Sequence, residues 1–166
     1  MRNWIEFYQN EDLPTEPTEF AKFCLVYMNG SVLDVGCGNG RDSRYFSEFF
    51  RVNSIDPNSE YGGFTSFGDY TIMEDVVYSR FFLHAISNEE IVDLIQRTPK
   101  MFMAECRAEG DEPTLYTDHE RNYIDPEWLR SVLEENGFRI KYFYVGRDVA
   151  KYKNENPLCV RVICER

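Results

Sequence analysis

One nine-residue string constrains this chain more than any other feature: Asp34-Val35-Gly36-Cys37-Gly38-Asn39-Gly40-Arg41-Asp42. An apolar run, Ser31-Val32-Leu33, leads into it, and a helical pattern, Arg44-Tyr45-Phe46-Ser47-Glu48-Phe49-Phe50, follows. The order is strand, glycine turn, helix. Glycines let the backbone approach a ligand where a Cβ would collide. Asp56 ends the next apolar run, Val52-Asn53-Ser54-Ile55. An acid at that strand tip can accept both hydroxyls of a ribose. The layout predicts a nucleoside-cofactor site on an α/β sheet.

A dinucleotide site reads G-x-G-x-x-G, with a pyrophosphate on the helix N-terminus. Here the spacing is Gly36-x-Gly38-x-Gly40, and Asp34 stands two residues before the first glycine. An acid at that point suits an ammonium or sulfonium and opposes a pyrophosphate. The string resembles motif I of the class I S-adenosylmethionine (SAM) methyltransferases, (D/E)-x-G-x-G-x-G. That resemblance implies SAM as cofactor, with S-adenosylhomocysteine (SAH) as product. It implies Asp34, Gly36, Gly38, Gly40 and Asp56 as cofactor contacts. Cys37 joins them as a member of the loop, where a small filler is a better reading than a nucleophile.

Length and composition narrow the rest. At 166 residues the chain is long enough for one domain with a real core and too short for two. No stretch approaches the ~20 apolar residues needed to span a bilayer, and the opening residues lack the apolar run of a signal peptide. Five cysteines without C-x-x-C spacing argue against zinc or a disulfide framework. They fit a reducing cytoplasm. A net charge of −11 leaves no basic face for phosphate backbones, which counts against a nucleic-acid partner. A homo-oligomer is compatible with the chain.

Residues 1–29 read as an aromatic arm (Trp4, Phe7, Tyr8) followed by a helix from Glu19 to Met28 near the cofactor. Strands are expected at Ser31–Val35, Arg51–Ile55, Phe64–Phe67, Val76–Ser79, Met101–Glu105, Arg139–Val145 and Leu158–Cys164. The second crossover is short, since a full one needs at least ~10–12 residues. Ser87-Asn88-Glu89-Glu90 is a capping box, and Asp125-Pro126 opens a helix that stops at Asn136-Gly137. The resemblance implies a Rossmann-like class I sheet with strand order 3-2-1-4-5-7-6, the last strand antiparallel, and helices on both faces. It also carries Asp69 over as a contact to the adenine amino group, with Phe67 as a stacking alternative. Ser79, at the end of the fourth strand, falls beside the cofactor.

Ligands in open α/β sheets bind outside the carboxyl ends of the strands. Both histidines, His84 and His119, fall at that edge, as do Glu105, Arg80, Arg107, Arg121, Tyr123 and Arg147. Three segments and the ending resemble small methyltransferases found with bacterial capsule and cell-surface glycan synthesis. They are Tyr78-Ser79-Arg80-Phe81-Phe82-Leu83-His84-Ala85-Ile86, Glu105-x-Arg107, Asp118-His119 with Arg121, and Gly146-Arg147-x-x-Ala150-Lys151-Tyr152. This resemblance implies a saccharide or phosphosaccharide acceptor. For a hydroxyl acceptor His84 is the best candidate base, with His119 and Glu105 behind it. For an anionic acceptor Arg80, Arg107 and Arg121 would orient the anion, with Tyr8, Tyr123 and Arg147 at its rim. Other small acceptors (thiol, amine, metalloid) and a non-catalytic SAM-binding protein remain open alternatives.

Overall fold

The computed structural model describes residues 3–10, 12–110 and 121–166. Its strands are β1 (Val32–Val35), β2 (Val52–Ile55), β3 (Val76–Arg80), β4 (Met101–Arg107), β5 (Arg139–Gly146) and β6 (Cys159–Glu165). They form one sheet in the order β2-β1-β3-β4-β6-β5. The first four run parallel, and β6 inserts antiparallel between β4 and β5. The helices are α1 (Trp4–Asn10), α2 (Glu19–Leu25), α3 (Arg41–Phe46), α4 (Asn88–Arg97) and α5 (Pro126–Glu135).

The strands are apolar on both faces because helices cover both. Alternate residues go to opposite sides. Val32, Val76, Tyr78, Met101 and Met103 pack with Phe20 and Cys24 of α2 and Phe46 of α3. Leu33, Val35, Val77, Phe102 and Ala104 pack with Ile91, Leu94 and Ile95 of α4 and Leu129 and Leu133 of α5. The caps act as the residue types dictate. Ser87 and Glu90 form a reciprocal capping box, and the Asp125 side chain accepts from the Glu127 and Trp128 N–H groups.

The order matches the expected 3-2-1-4-5-7-6 sheet with one strand missing. No strand forms over 64–67, and β2 is the edge. A single bridge, Asp56 to Gly63, is the only sheet-like pairing there among the described residues. The physical reason is a competing set of bonds. Residues Phe67–Asp69 turn into a 3-10 helix. Arg97 of α4 then donates to the carbonyls of Tyr70 (2.9 Å) and Phe67 (2.8 Å). Glu74 accepts from the Asn53 amide of β2 (2.7 Å) and from the Tyr70 hydroxyl (2.5 Å). The short crossover is thus spent on closing the sheet edge with side chains. The aromatic arm, read only as an arm from the sequence, is the helix α1.

Candidate functional site

The glycine turn joins the end of β1 to α3. Gly36 (φ 75°) and Gly38 (φ 56°) adopt the left-handed backbone that L side chains disfavour. Close approach adds a second reason for glycine, and here it comes from aromatic rings. A Cβ at Gly36 would lie 2.5 Å from the Phe82 ring, and one at Gly38 would lie 3.0 Å from the Tyr8 ring of α1. Gly40 is the N-cap of α3. The Tyr61 ring sits against it, with the Arg44 guanidinium 5.2 Å from that ring's centre.

A cavity of about 1170 Å³ opens beside this turn at the carboxyl edge of the sheet. Asp34 and Asp42 belong to its lining, both nearly fully buried. Asp34 accepts from the Ser43 hydroxyl at 2.6 Å, and its other oxygen accepts no hydrogen bond from the described residues. Burial, reinforced by the Asp42 charge, pushes the Asp34 carboxyl up to about 8. Asp42 is fully engaged: it accepts from the Thr18 backbone N–H, the Thr18 hydroxyl and the Tyr78 hydroxyl, at 2.7–2.8 Å. These bonds fasten the start of α2 to the start of α3.

The same lining carries cations: Arg41, Arg80, Arg107, Arg121, Lys151 and Lys153. Arg80, Glu105 and Arg161 occupy one transverse row across β3, β4 and β6. Glu105 is fully buried and takes one bond from each arginine: Arg80 Nε at 2.9 Å and Arg161 Nε. Arg107 pairs with Glu155 at 2.7 Å. Phe81 stands between Arg80 and Arg107, its ring centre 4.4 and 5.5 Å from their guanidinium carbons. Its backbone is left-handed at φ 53°, a genuine outlier for a bulky residue. Such strain concentrates at functional sites.

His84 lines the cavity and is buried. Its Nδ1 accepts from the Arg107 backbone N–H at 3.0 Å. A backbone N–H can only donate, so the neutral ring carries its proton on Nε2. The Nδ1 lone pair is turned to the backbone, and Nε2 is the donor. A general base, the role expected from sequence, needs a lone pair aimed at the acceptor, and in this structure the Nδ1 lone pair faces the Arg107 backbone. Glu105, the second base candidate, is a counterion to two arginines. His119, the third, lies outside the described residues, as does Asp118.

The other expected contacts divide. Tyr8, Gly36, Cys37 and Gly38 line the cavity, as do Arg80, Arg107 and Arg121. Burial pushes the Cys37 thiol up, which suits the filler reading. Asp56 is buried one step behind the turn. Its oxygens accept from the Gly38 N–H (2.9 Å) and the Asn58 N–H (2.8 Å), leaving further lone pairs on each. Burial raises its carboxyl, against the pull of those two N–H groups. Phe67 is buried against Phe82 and Arg97. Asp69 is exposed in a separate shallow depression beside Arg97. Ser79 is fully buried and donates to the Val35 carbonyl, tying β3 to β1. Tyr123 and Arg147 do not line the cavity, and Arg147 donates to the Asn156 carbonyl.

Arg41, Asp42 and Glu155 also line the cavity, and Arg161 stands behind it through Glu105, none of them expected from the sequence. The first two sit inside the quoted motif and carried a readable signal, a charged pair directly after the third glycine. Glu155 and Arg161 reach the site only through sheet pairing and a loop, which no local pattern announces.

The donor set fits a sulfonium nucleoside. A buried acid with an oxygen open to the cavity favours a cation, and the turn supplies backbone for close approach. Among the described residues no group of three or more His, Cys, Asp or Glu is arranged to hold a metal. No helix there is long and apolar enough to cross a membrane.

No protein-family model matches the chain, and no curated protein matches its sequence. Solved structures do match. A SAM-dependent methyltransferase from Methanosarcina mazei aligns with a TM-score of 0.70 at 15% identity, over 87% of this chain and 96% of that one. One from Aquifex aeolicus gives 0.67 at 15% identity, over 97% of each chain. Magnesium protoporphyrin IX methyltransferase from Synechocystis, with bound SAH, gives 0.66 at 15% identity, over 88% of this chain and 79% of that one. At such identities the likeness is one of fold: this chain has the Rossmann-like α/β fold of the SAM-dependent methyltransferases.

Proposed function

We propose that this protein is a SAM-dependent methyltransferase acting on a small anionic acceptor, with an oxygen of a saccharide or phosphosaccharide as the methylated atom. The single observation that carries it is the cavity at the glycine turn, whose lining brings the buried acid Asp34 together with Arg41 and Arg80. The bound cofactor would supply an electrophilic methyl group on a positively charged sulfur. The chain's part is binding, orientation and exclusion of water, which hold the reacting atoms in line.

Each residue then has a physical role. Asp34, once ionised, complements positive charge at the turn. Tyr8 of α1 covers the turn at Gly38 and shields it from solvent. Arg80 and Arg107, held by Glu105 and Glu155, line the cavity on the acceptor side. With His84 Nδ1 and Glu105 both committed, an acceptor that is already an anion fits better than a neutral hydroxyl, because it needs no proton removed.

This makes a specific prediction. His84→Asn preserves an acceptor for the Arg107 N–H and should keep turnover within about tenfold of wild type. A general base would instead cost ~10²–10⁴-fold. Measuring kcat for His84→Asn and His84→Ala across pH 5–9 separates the two roles. The reading of methyl transfer itself is tested with isotopically labelled SAM against a panel of sugars, sugar acids and phosphosugars. Intact mass of the products is the readout. Labelled methyl on an acidic sugar is expected. Label only on neutral amines or thiols would move the acceptor class.

A further inference from the structure

Arg41 is the first residue of α3 and lines the cavity half-buried. Its guanidinium makes no hydrogen bond or ion pair with any described group. Only its backbone is engaged, donating to the Asn39 side chain at 3.3 Å. Its neighbours on the wall differ. Arg80 is held by Glu105 and Arg107 by Glu155. Arg80 spends only its Nε on Glu105, and the Phe81 ring supports its guanidinium face. Its two terminal nitrogens take no described partner.

Burial, and then the charge of Arg80, push Arg41 below its usual range. Asp42 is adjacent and pulls the other way. Its oxygens are already occupied by Thr18 and Tyr78. Arg41 and Arg80 both line the one cavity at the carboxyl edge, Arg80 at the end of β3 beside β1 and Arg41 just past the turn that follows β1. Glu105 is shared between Arg80 and Arg161, so one carboxylate serves two guanidiniums and Arg41 adds a third, and uncompensated charge out of water is costly. The arrangement does suit an oxyanion, which accepts forked, charge-assisted bonds from both. We propose that Arg41 and Arg80 form an oxyanion seat in the cavity wall that takes a carboxylate or phosphate group. Resting on the methyl-transfer reading, the seat has two sources for its anion: the α-carboxylate of the cofactor or the acid group of the acceptor.

Calorimetry on the whole protein distinguishes them. SAH, decarboxylated SAH and inorganic phosphate are titrated into wild type, Arg41→Gln, Arg41→Lys and Arg80→Gln. Phosphate is also titrated into SAH-loaded protein. If the cofactor supplies the anion, wild type prefers SAH over its decarboxylated form by roughly 10- to 100-fold, the scale of charge-assisted hydrogen bonds. That preference falls below about threefold in Arg41→Gln. If the acceptor supplies it, SAH affinity is unchanged by Arg41→Gln, and SAH-loaded wild type binds phosphate. The phosphate Kd then rises at least about tenfold in Arg41→Gln and Arg80→Gln. Arg41→Lys should be intermediate in either case, since an ammonium lacks the fork. Arg41→Gln should not lower Tm, because no described group loses a partner. SAH binding with no preference and no phosphate binding overturns the seat and leaves methyl transfer standing. Arg41-dependent phosphate binding without SAH binding does the reverse. Failure of both ligands to bind wild type overturns both.

Discussion

Glu105→Gln is expected to cost about 3–5 kcal/mol of stability, the scale for stranding buried charge by removing its partner. Glu105 is fully buried, and Arg161 beside it is 7% exposed. The row Arg80–Glu105–Arg161 spans three neighbouring strands at matched register, with the Arg161 side chain 9% exposed and Arg80 open only toward the cavity. For a chain of this size the loss corresponds to a fall in Tm of roughly 6–20 °C. Thermal unfolding of the purified variant reads it directly. The double substitution Glu105→Gln with Arg161→Met should recover part of the loss, because it removes one stranded charge. A Tm within about 2 °C of wild type for Glu105→Gln alone would mean the triad carries little net energy, as can happen when ion-pair attraction only balances desolvation.

Asp34→Asn is expected to act in opposite directions on the empty protein and on binding. Folded Asp34 titrates at about 8, against 3.8 in its ordinary setting. Between those values the folded state holds a proton that the unfolded chain releases. Asp34 therefore contributes a stability that is intact at low pH and is lost as pH rises through about 8. Asn carries no such charge, so Asp34→Asn should be more stable than wild type at pH 9 and show a flatter stability profile. Binding a cation at this site favours the ionised form. Wild-type SAM affinity should then tighten as pH rises toward 8, with a proton released on binding near neutrality. Asp34→Asn should lose about 1.5–3 kcal/mol of affinity, the usual range for a charge-assisted hydrogen bond, together with that proton release. Calorimetry in buffers of differing ionisation enthalpy measures both. Equal affinity and unchanged proton release in the variant would place the cofactor's charge elsewhere.

The parts of the fold written in local pattern were legible. Strand, glycine turn and helix over 31–50 follow from period and glycine placement, and both capped helices begin where their Ser and Asp caps stand. The missing edge strand was not legible, because an arginine on α4, 30 residues away, takes the carbonyl of Phe67 at the end of the expected strand. The site divides the same way. Asp34, Gly36 and Gly38 lie on the cavity as their motif implies. Asp69 does not, because the segment that would carry it to the strand ends turns into a 3-10 helix instead. The role of His84 hinged on one hydrogen bond to the backbone of a different strand. Residue type announces that an imidazole can titrate. Only tertiary placement decides which nitrogen faces the chemistry.

The most direct test of the central claim is titration of the protein with SAH and, separately, with NAD. SAH is expected to bind in the micromolar range or tighter, more weakly in Asp34→Asn, and NAD is expected to give no heat. NAD binding without SAH binding would contradict it.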